Sequence, residues 1–397
     1  MFVRTLSAAR LRRGSLSDAV AARCVVLEGI QDDLAALVLE HAQGAGMAAV
    51  RRDGAVEVAG TLRQLQTAER SASPVPAAAA ALRQAAQAVR RALEPAAVLR
   101  AGGHAIGLEG AVVMGILNVA KESFYDGGRY VGVDRALERA EQMAAEGAGI
   151  IDIGGQSYNH LTPPVDEAEE IARVVPVVEA LVRRFPRLPL SVDTVRSGVA
   201  LAVLDAGAAI VNDCSGNADP RMAAACARYA AADVVMHLKG RLKVREPESY
   251  VYDDVVAEIV RFLDVRSRAA LEAGVRAESL VVDPGLEFGK EPADDLAIVE
   301  RLDELLVLGY PVLVAASRKS FMGRIFDLPA AELLAPSAAV AACSVLSGAR
   351  IVRAHDVQFT ARLVAMLQAV ASERKRELVR AEAMPPSRPP AGLSSGD

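Results

Sequence analysis

The sequence predicts an α/β fold, a (β/α)8 barrel preceded by a small α/β N-terminal domain. Three observations carry that prediction. Between Ala111 and His355 one unit recurs eight times, a short apolar run followed by a stretch with helical spacing. The runs are rich in Val and Ile and bounded by Gly, Pro or Asp, the pattern of strands buried on both faces. Polar residues collect at the C-terminal end of each run, the rim where such barrels carry their chemistry.

The runs follow in order. The first, 111–119 (AVVMGILNV), closes on Asn118, and the loop after it holds Gly127 and Gly128. The second, 149–155 (GIIDIGG), leads into a long polar loop. The third, 188–194 (LPLSVDT), ends at Asp193, and the fourth, 209–216 (AIVNDCSG), carries Asn212 and Asp213. The fifth, 233–239 (DVVMHLK), presents His237 and Lys239. The sixth, 279–285 (SLVVDPG), holds Asp283 and continues to Phe288 and Lys290. The seventh, 311–317 (PVLVAAS), runs into Arg318 and Lys319. The eighth, 349–355 (ARIVRAH), brings Arg353 and His355, with Asp356 next. Apolar spacing of three and four predicts helices over 134–147, 166–184, 196–207, 220–230, 250–274, 294–308 and 330–347.

The flanks differ. Residues 1–105 read as a small α/β extension, with apolar runs at Cys24–Leu27 and Val56–Ala59 and helices over 31–44 and 76–94. A linker around Arg100–Leu108, with Gly102 and Gly103, leads into a barrel placed at 106–372. Residues 373–397 read as a charged helix end and a disordered tail rich in Pro, Ser and Gly.

Composition narrows the function. A chain of 397 residues holds one barrel of about 250 residues plus a smaller unit. The net charge of −5 gives no basic field for nucleic acid, and Arg10, Arg12 and Arg13 read as a solvated terminus. No apolar run approaches the ~20 residues of a membrane span, and no secretory h-region stands at the start. Cys24, Cys214, Cys226 and Cys343 are scattered without metal spacing, as in a reducing cytoplasm, the expected location.

The rim suggests a ligand. Asp193, Asn212 and Asp283 project acceptor oxygens from strands three, four and six, suited to a flat heterocycle with N–H donors along its edge. Lys319, Arg353 and His355 come from strands seven and eight, the quadrant that often binds phosphate. His160, His237 and His355 share no zinc spacing. A Mg²⁺ held by Asn118 and substrate phosphates fits the habits of that ion. No Ser-His or Cys-His nucleophile is legible.

The segments MGILNV, SF.DGG, IIDIGG.S, SVDT, NDCSG, MH.KG, DPG..FGK, SRKSF and R.HDV stand in this order on these strand ends. In them the chain resembles the dihydropteroate synthase family of pterin-binding TIM barrels, over the whole barrel. The resemblance implies a transferase of folate synthesis, which joins 6-hydroxymethyl-7,8-dihydropterin diphosphate to 4-aminobenzoate and releases diphosphate by dissociative substitution. It implies catalytic roles for Lys319, Asp193 and Glu122, and a pterin site of Asp193, Asn212, Asp283, Lys319, Met236 and Phe288. Asn118, Arg353 and His355 would hold diphosphate, with Mg²⁺ at Asn118. Ser157, Ser317 and Ser320 would border the second substrate. A homodimer built on the late barrel helices is implied as well.

The chain departs from the family pattern in two loops. Ala120-Lys121-Glu122-Ser123-Phe124 replaces Thr-Pro-Asp-Ser-Phe, and Gln156-Ser157-Tyr158-Asn159-His160 replaces Glu-Ser-Thr-Arg-Pro. Asn159 thereby removes a bidentate phosphate clamp. Glu287 replaces a small residue before Phe288. Two further readings therefore stay open: a pterin-binding homologue with an altered second substrate or no activity, and a pterin-dependent methyltransferase on a similar barrel.

Overall fold

The computed structural model describes residues 2–6, 23–119, 129–156, 158, 163–244 and 246–383. Expectations for Arg10, Arg12, Arg13, Lys121, Glu122, Gly127, Gly128, Ser157, Asn159, His160 and the tail beyond 383 lie outside these residues.

The first elements form one antiparallel sheet in the order β1-β2-β4-β3, from β1 (Phe2–Leu6), β2 (Arg23–Glu28), β3 (Ala48–Arg52) and β4 (Ala55–Gly60). Along β4 every second residue is buried, so Val56 and Val58 face the helices with Val25 and Leu27 of β2. The helices are α1 (Asp32–Gly44), α2 (Leu62–Ser71) and the Ala-rich α3 (Pro76–Leu93). The sequence reading misses α2, because Leu65 and Ala68 are all it buries. Its signature was present in the capping box, where Gln64 N donates to Thr61 Oγ1 (3.2 Å) and Thr61 N to Gln64 Oε1 (2.9 Å).

Residues Arg100–Leu108 are not a linker. They lie in a β-hairpin of β5 (Val98–Ala101) and β6 (His104–Gly107), turned at Gly102 and Gly103 with φ of +51° and +88°. A Cβ on Gly102 would stand 2.9 Å from the Ala209 backbone, so this turn requires glycine. Leu99, Ala101, Ile106 and Leu108 are buried against Met114, Ile150, Ile210, Val281, Leu313 and Ile351, the inward residues at the strand starts. The hairpin therefore plugs the N-terminal mouth of the barrel. Two strands of four residues are too short for periodicity to reveal them.

Eight parallel strands make the barrel: β7 (Val112–Asn118), β8 (Ile150–Gly154), β9 (Leu190–Asp193), β10 (Ile210–Asp213), β11 (Ala232–Met236), β12 (Leu280–Asp283), β13 (Leu313–Val314) and β14 (Ile351–Ala354). They pair in sequence order, β14 returns to β7, and a parallel bridge between Val282 and Val312 joins the remaining edges. Around them stand α4 (Arg129–Glu146), α5 (Glu167–Arg184), α6 (Ser197–Asp205), α7 (Met222–Arg228), α8 (Val255–Glu272), α9 (Pro292–Glu300), α10 (Ser320–Phe326), α11 (Leu334–Leu346) and α12 (Val357–Ala383). Outward strand residues such as Ile151, Ile153, Val192, Val211, Val235 and Val282 pack on these helices.

Three helix expectations change. The stretch 294–308 divides at Arg301, and Leu302–Leu308 is 3₁₀. Leu302, Leu305 and Leu308 recur every three residues, which matches the 3₁₀ turn better than 3.6. The helix expected over 250–274 starts at Val255, where Asp254 accepts from Ala257 N (3.1 Å). The segment SRKSF enters a short helix, α10, that the sequence reading leaves as rim.

The N-terminal sheet docks on the barrel through ion pairs. Glu28 accepts from Arg4 Nε (2.8 Å) within the sheet and from Arg261 Nε (3.1 Å) of the barrel, and Arg4 Nη1 lies 3.7 Å from the barrel's Glu304 Oε2. Desolvation would raise the Glu28 pKa, but the guanidiniums of Arg261 and Arg4 hold it below its ordinary value.

Leu99→Ala removes a fully buried plug residue and should destabilise the fold by about 2–5 kcal/mol. Chemical denaturation followed by circular dichroism checks this, and an unchanged midpoint would show that the hairpin contributes nothing.

Candidate active site

Because strand residues alternate, the barrel interior is layered. The lower layer is apolar and closed by the hairpin. The layer above it is polar: Asp152, Asp193, Asn212, Asp283 and Arg353 share the inward parity of Ile150, Ser191, Ile210, Val281 and Ile351. Above this layer a cavity of about 410 Å³ opens at the C-terminal rim.

Arg353 organises the polar layer. Its Nε donates to Asp152 Oδ2 (2.6 Å) and its Nη2 to Asp193 Oδ2 (2.8 Å), so one guanidinium from β14 spans to β8 and β9. Asn212 Nδ2 adds a bond to the same Asp152 oxygen (3.1 Å). Burial alone would discharge Arg353, but the Asp152 and Asp193 carboxylates raise its pKa above the ordinary value. Asp193 itself is raised, first by desolvation and then by Asp152 and Glu170, against the lowering field of Arg353. Asp193 Oδ1 is buried without a hydrogen-bond partner, an acceptor left over for a ligand donor. Asp283 is pushed up to about 6 by burial, although Gly285 N donates to its Oδ1 (2.7 Å).

The loop after β12 is pinned from beneath. Lys290 is buried, and its Nζ meets His237 Nδ1 (2.9 Å) and the carbonyls of Gly285 (2.8 Å) and Phe288 (2.9 Å). Desolvation, then the charge of Lys290, holds His237 at about 2, so that ring is a neutral acceptor. Gly285 and Gly289 take φ of +66° and +67°, and a Cβ on either would meet a carbonyl oxygen at 2.1 Å or closer. The pinned loop exposes Phe288, and Lys319 Nζ lies 4.5 Å from its ring centroid while donating to Leu286 O (3.1 Å). Glu287 occupies the left-handed region at φ +70°. Its Oε1 accepts from Phe321 N (2.6 Å) at the start of α10, and its Oε2 lies 4.0 Å from Lys319 Nζ.

The ends of β7, β13 and β14 add Asn118, Ser317 and His355 to the cavity lining. Ser317 Oγ accepts from His355 N (3.1 Å) and sits 3.3 Å from His355 Nδ1. The sequence reading did not find this Ser-His contact. The pair is not an activated nucleophile: the backbone N–H occupies the hydroxyl oxygen, and the ring has no carboxylate partner among the described residues. Desolvation, then the charge of Arg353, lowers His355 to about 4, so it binds as a neutral donor. Arg318 is committed to Asp356 by two bonds of 2.9 Å.

Behind the second loop lies a network absent from the sequence reading. Glu170 is fully buried and accepts from Gln156 Nε2 (2.8 Å) and from Arg196. Arg173 Nη1 donates to Gly155 O (2.9 Å), and Tyr158 Oη accepts from Val195 N (3.2 Å).

The structure thus gathers Asn118, Asp193, Phe288, Ser317, Lys319, Ser320, Arg353 and His355 around one cavity. Asn212, Asp283 and Met236 are buried at their strand ends and are not among the residues that line this cavity. Glu122 and Ser157 are outside the described residues. Asp152, Lys290 and Glu170 were missed as site residues. A signal for Asp152 existed, since it is the lone charge inside the apolar run GIIDIGG. Glu170 gave none, sitting in an acidic helix start that reads as solvated.

The family model described as pterin binding enzyme matches residues 114–355. The dihydropteroate synthase of Bacillus subtilis (strain 168) is 41% identical over 263 residues, 66% of this chain and 89% of that protein. The crystal structure of the Yersinia pestis dihydropteroate synthase with a sulfonamide drug complex superposes with a TM-score of 0.64 at 37% identity, covering 70% of this chain and 99% of the other. The Thermus thermophilus dihydropteroate synthase in complex with 4-aminobenzoate gives a TM-score of 0.61 at 37% identity, covering 68% of this chain and 99% of the other.

Arg353→Met should destabilise the fold by about 3–5 kcal/mol, because it strands the fully buried Asp152 charge. Adding Asp152→Asn should recover a large part of that loss. Denaturation midpoints of the single and double variants measure both effects, and strict additivity of the two losses would refute the coupling.

Proposed function

The chain belongs to the dihydropteroate synthase family of pterin-binding enzymes, and on that premise we propose that it condenses 6-hydroxymethyl-7,8-dihydropterin diphosphate with 4-aminobenzoate and releases diphosphate. One observation carries the site reading: Asp193, with a buried oxygen lacking a partner, lines a cavity bordered by Lys319 and Arg353, while Asn212 and Asp283 are buried at the ends of β10 and β12. Acceptors below and cations at the wall suit a pterin with N–H donors on one edge and a diphosphate on its arm.

Each residue has a task under this reading. Asp193, Asn212 and Asp283 receive the ring edge. Phe288 covers a ring face, and Lys319, already over Phe288, hydrogen-bonds the pterin. Met236 lies buried in the wall and shapes the floor. His355, neutral at pH 7, and Arg353 hold diphosphate oxygens, while Ser317 and Ser320 border the second substrate. No protein nucleophile is needed: departure of diphosphate leaves a methylene cation stabilised by the electron-rich pterin, and the arylamine attacks it. Positioning and electrostatics supply the rate enhancement.

Magnesium fits the donor set. Asn118 ends β7 exposed to the cavity, and its side chain has no hydrogen-bond partner among the described residues. Those residues also contain no cluster of three or more His, Cys, Asp or Glu able to cage a metal. A single amide oxygen leaves the other octahedral positions to substrate phosphates and water, ligands that Mg²⁺ commonly keeps. Bound there, the ion would neutralise charge on the departing diphosphate.

A homodimer on the late helices is part of this proposal. Leu346 on α11 and Phe359, Met366 and Val370 on α12 are exposed, an apolar surface that a second copy would cover. Sedimentation velocity should give about twice the chain mass of 41.7 kDa, and a monomer at micromolar concentration would refute it.

Release of diphosphate on mixing the two substrates tests the activity. Lys319→Ala should reduce kcat/KM by roughly 30- to 1000-fold, the effect of about 2–4 kcal/mol in transition-state stabilisation. Wild-type rates in that variant would sink the assignment. The same assay across pH reads the carboxylates. Ionised Asp283 is the stronger, acceptor-only partner for ring N–H donors, and its pKa is raised to about 6, so kcat/KM should fall as pH drops through that value. A profile flat down to the ordinary carboxylate range would contradict this.

A further inference from the structure

The loop after β11 places Arg241 and Lys243 on the cavity wall. Arg241 is committed to Glu246 (2.8 Å). Lys243 is half-buried with φ of +62°, a conformation that side-chain-bearing residues rarely adopt. Its Nζ donates to Pro163 O (3.0 Å), where the loop after β8 returns toward α5. That returning loop, Gln156 to Val165, contains neither Lys nor Arg.

The other cations at the cavity are matched. Arg318 pairs with Asp356, Arg324 with Glu291, Arg353 with Asp152 and Asp193, and Lys319 lies 4.0 Å from Glu287. Lys290 is buried among carbonyls and His237. Among the described residues, Lys243 is the solvent-reachable ammonium of this wall that has no carboxylate in ion-pair range. Desolvation and then the positive field of Arg196 lower its pKa, against the smaller raising field of the buried Glu170. Two neighbouring cations, one of them unmatched, at the wall of a cavity concentrate anions there.

We propose that Lys243 is an anion-binding residue of this site, supplying from the fifth loop the positive charge that the second loop lacks and holding the diphosphate of the substrate. The inference rests on the function proposed above for the identity of the anion. Calorimetric titration of the full-length protein with inorganic diphosphate and Mg²⁺ tests it apart from turnover. Lys243→Ala should raise the diphosphate Kd and the KM for the pterin diphosphate roughly tenfold, with the KM for 4-aminobenzoate within about twofold and Lys243→Arg within about threefold of wild type. An unchanged Kd in Lys243→Ala, or an equal rise in both KM values, overturns the inference. A wild-type protein that binds diphosphate through Lys243 yet releases none from the two substrates overturns the proposed function and leaves this residue's role standing.

Discussion

The site depends on one buried ionic contact, the Arg353 guanidinium between Asp152 and Asp193. Asp152 is fully buried in the barrel interior, where an unpaired carboxylate is far more costly than at a surface. Arg353 neutralises it and in the same stroke fixes Asp193. Asn212 joins through the shared Asp152 oxygen, so four strands are tied into one rigid polar layer. Asp193 is thereby left with one oxygen satisfied and one buried without a partner, which is the state of a preorganised ligand acceptor.

Strand alternation separates this layer from the supporting core. The same inward faces that are Ile150, Val281 and Ile351 at the bottom become Asp152, Asp283 and Arg353 two residues later. The hairpin plug closes the lower mouth, so the apolar layer stays dry and the polar layer faces a single opening. Beneath the rim, Lys290 clamps the loop after β12 to His237, which lets Phe288 and Lys319 stand in fixed relation above it. Outside the barrel, the N-terminal sheet is held by Glu28, Arg4 and Arg261, ion pairs far from the cavity that orient the extension without entering the chemistry.

The electrostatics suit a substitution that needs no protein base or nucleophile. His355 and His237 are both held neutral, and Asp193 and Asp283 are raised toward neutrality by burial. Positive charge on the cavity wall includes Lys319, Arg353 and Lys243, a setting that suits an anionic leaving group. Glu287 introduces a fixed negative charge on that wall and spends it on the start of α10 and on Lys319, which sets the lysine head group rather than opposing the ligand.

Much of this was legible in the sequence, because eight continuous apolar runs with polar ends are a local property of strands buried on both faces. The barrel, its rim and the acceptors Asp193, Asn212 and Asp283 follow from that pattern together with the segments shared with the pterin-binding family. Short or narrow elements escaped it: the hairpin at Val98–Gly107, helix α2 with its thin apolar stripe, and the 3₁₀ stretch after Arg301, whose three-residue leucine spacing reads as helical. The partners of each polar residue were not legible at all. That Arg353 turns inward to Asp152, that Ser317 meets His355, and that Lys243 remains unmatched depend on side chains brought together from positions 38 to 201 residues apart. Local sequence determines which face a residue occupies, while only the closed barrel decides which charges meet across it and which one is left for a ligand.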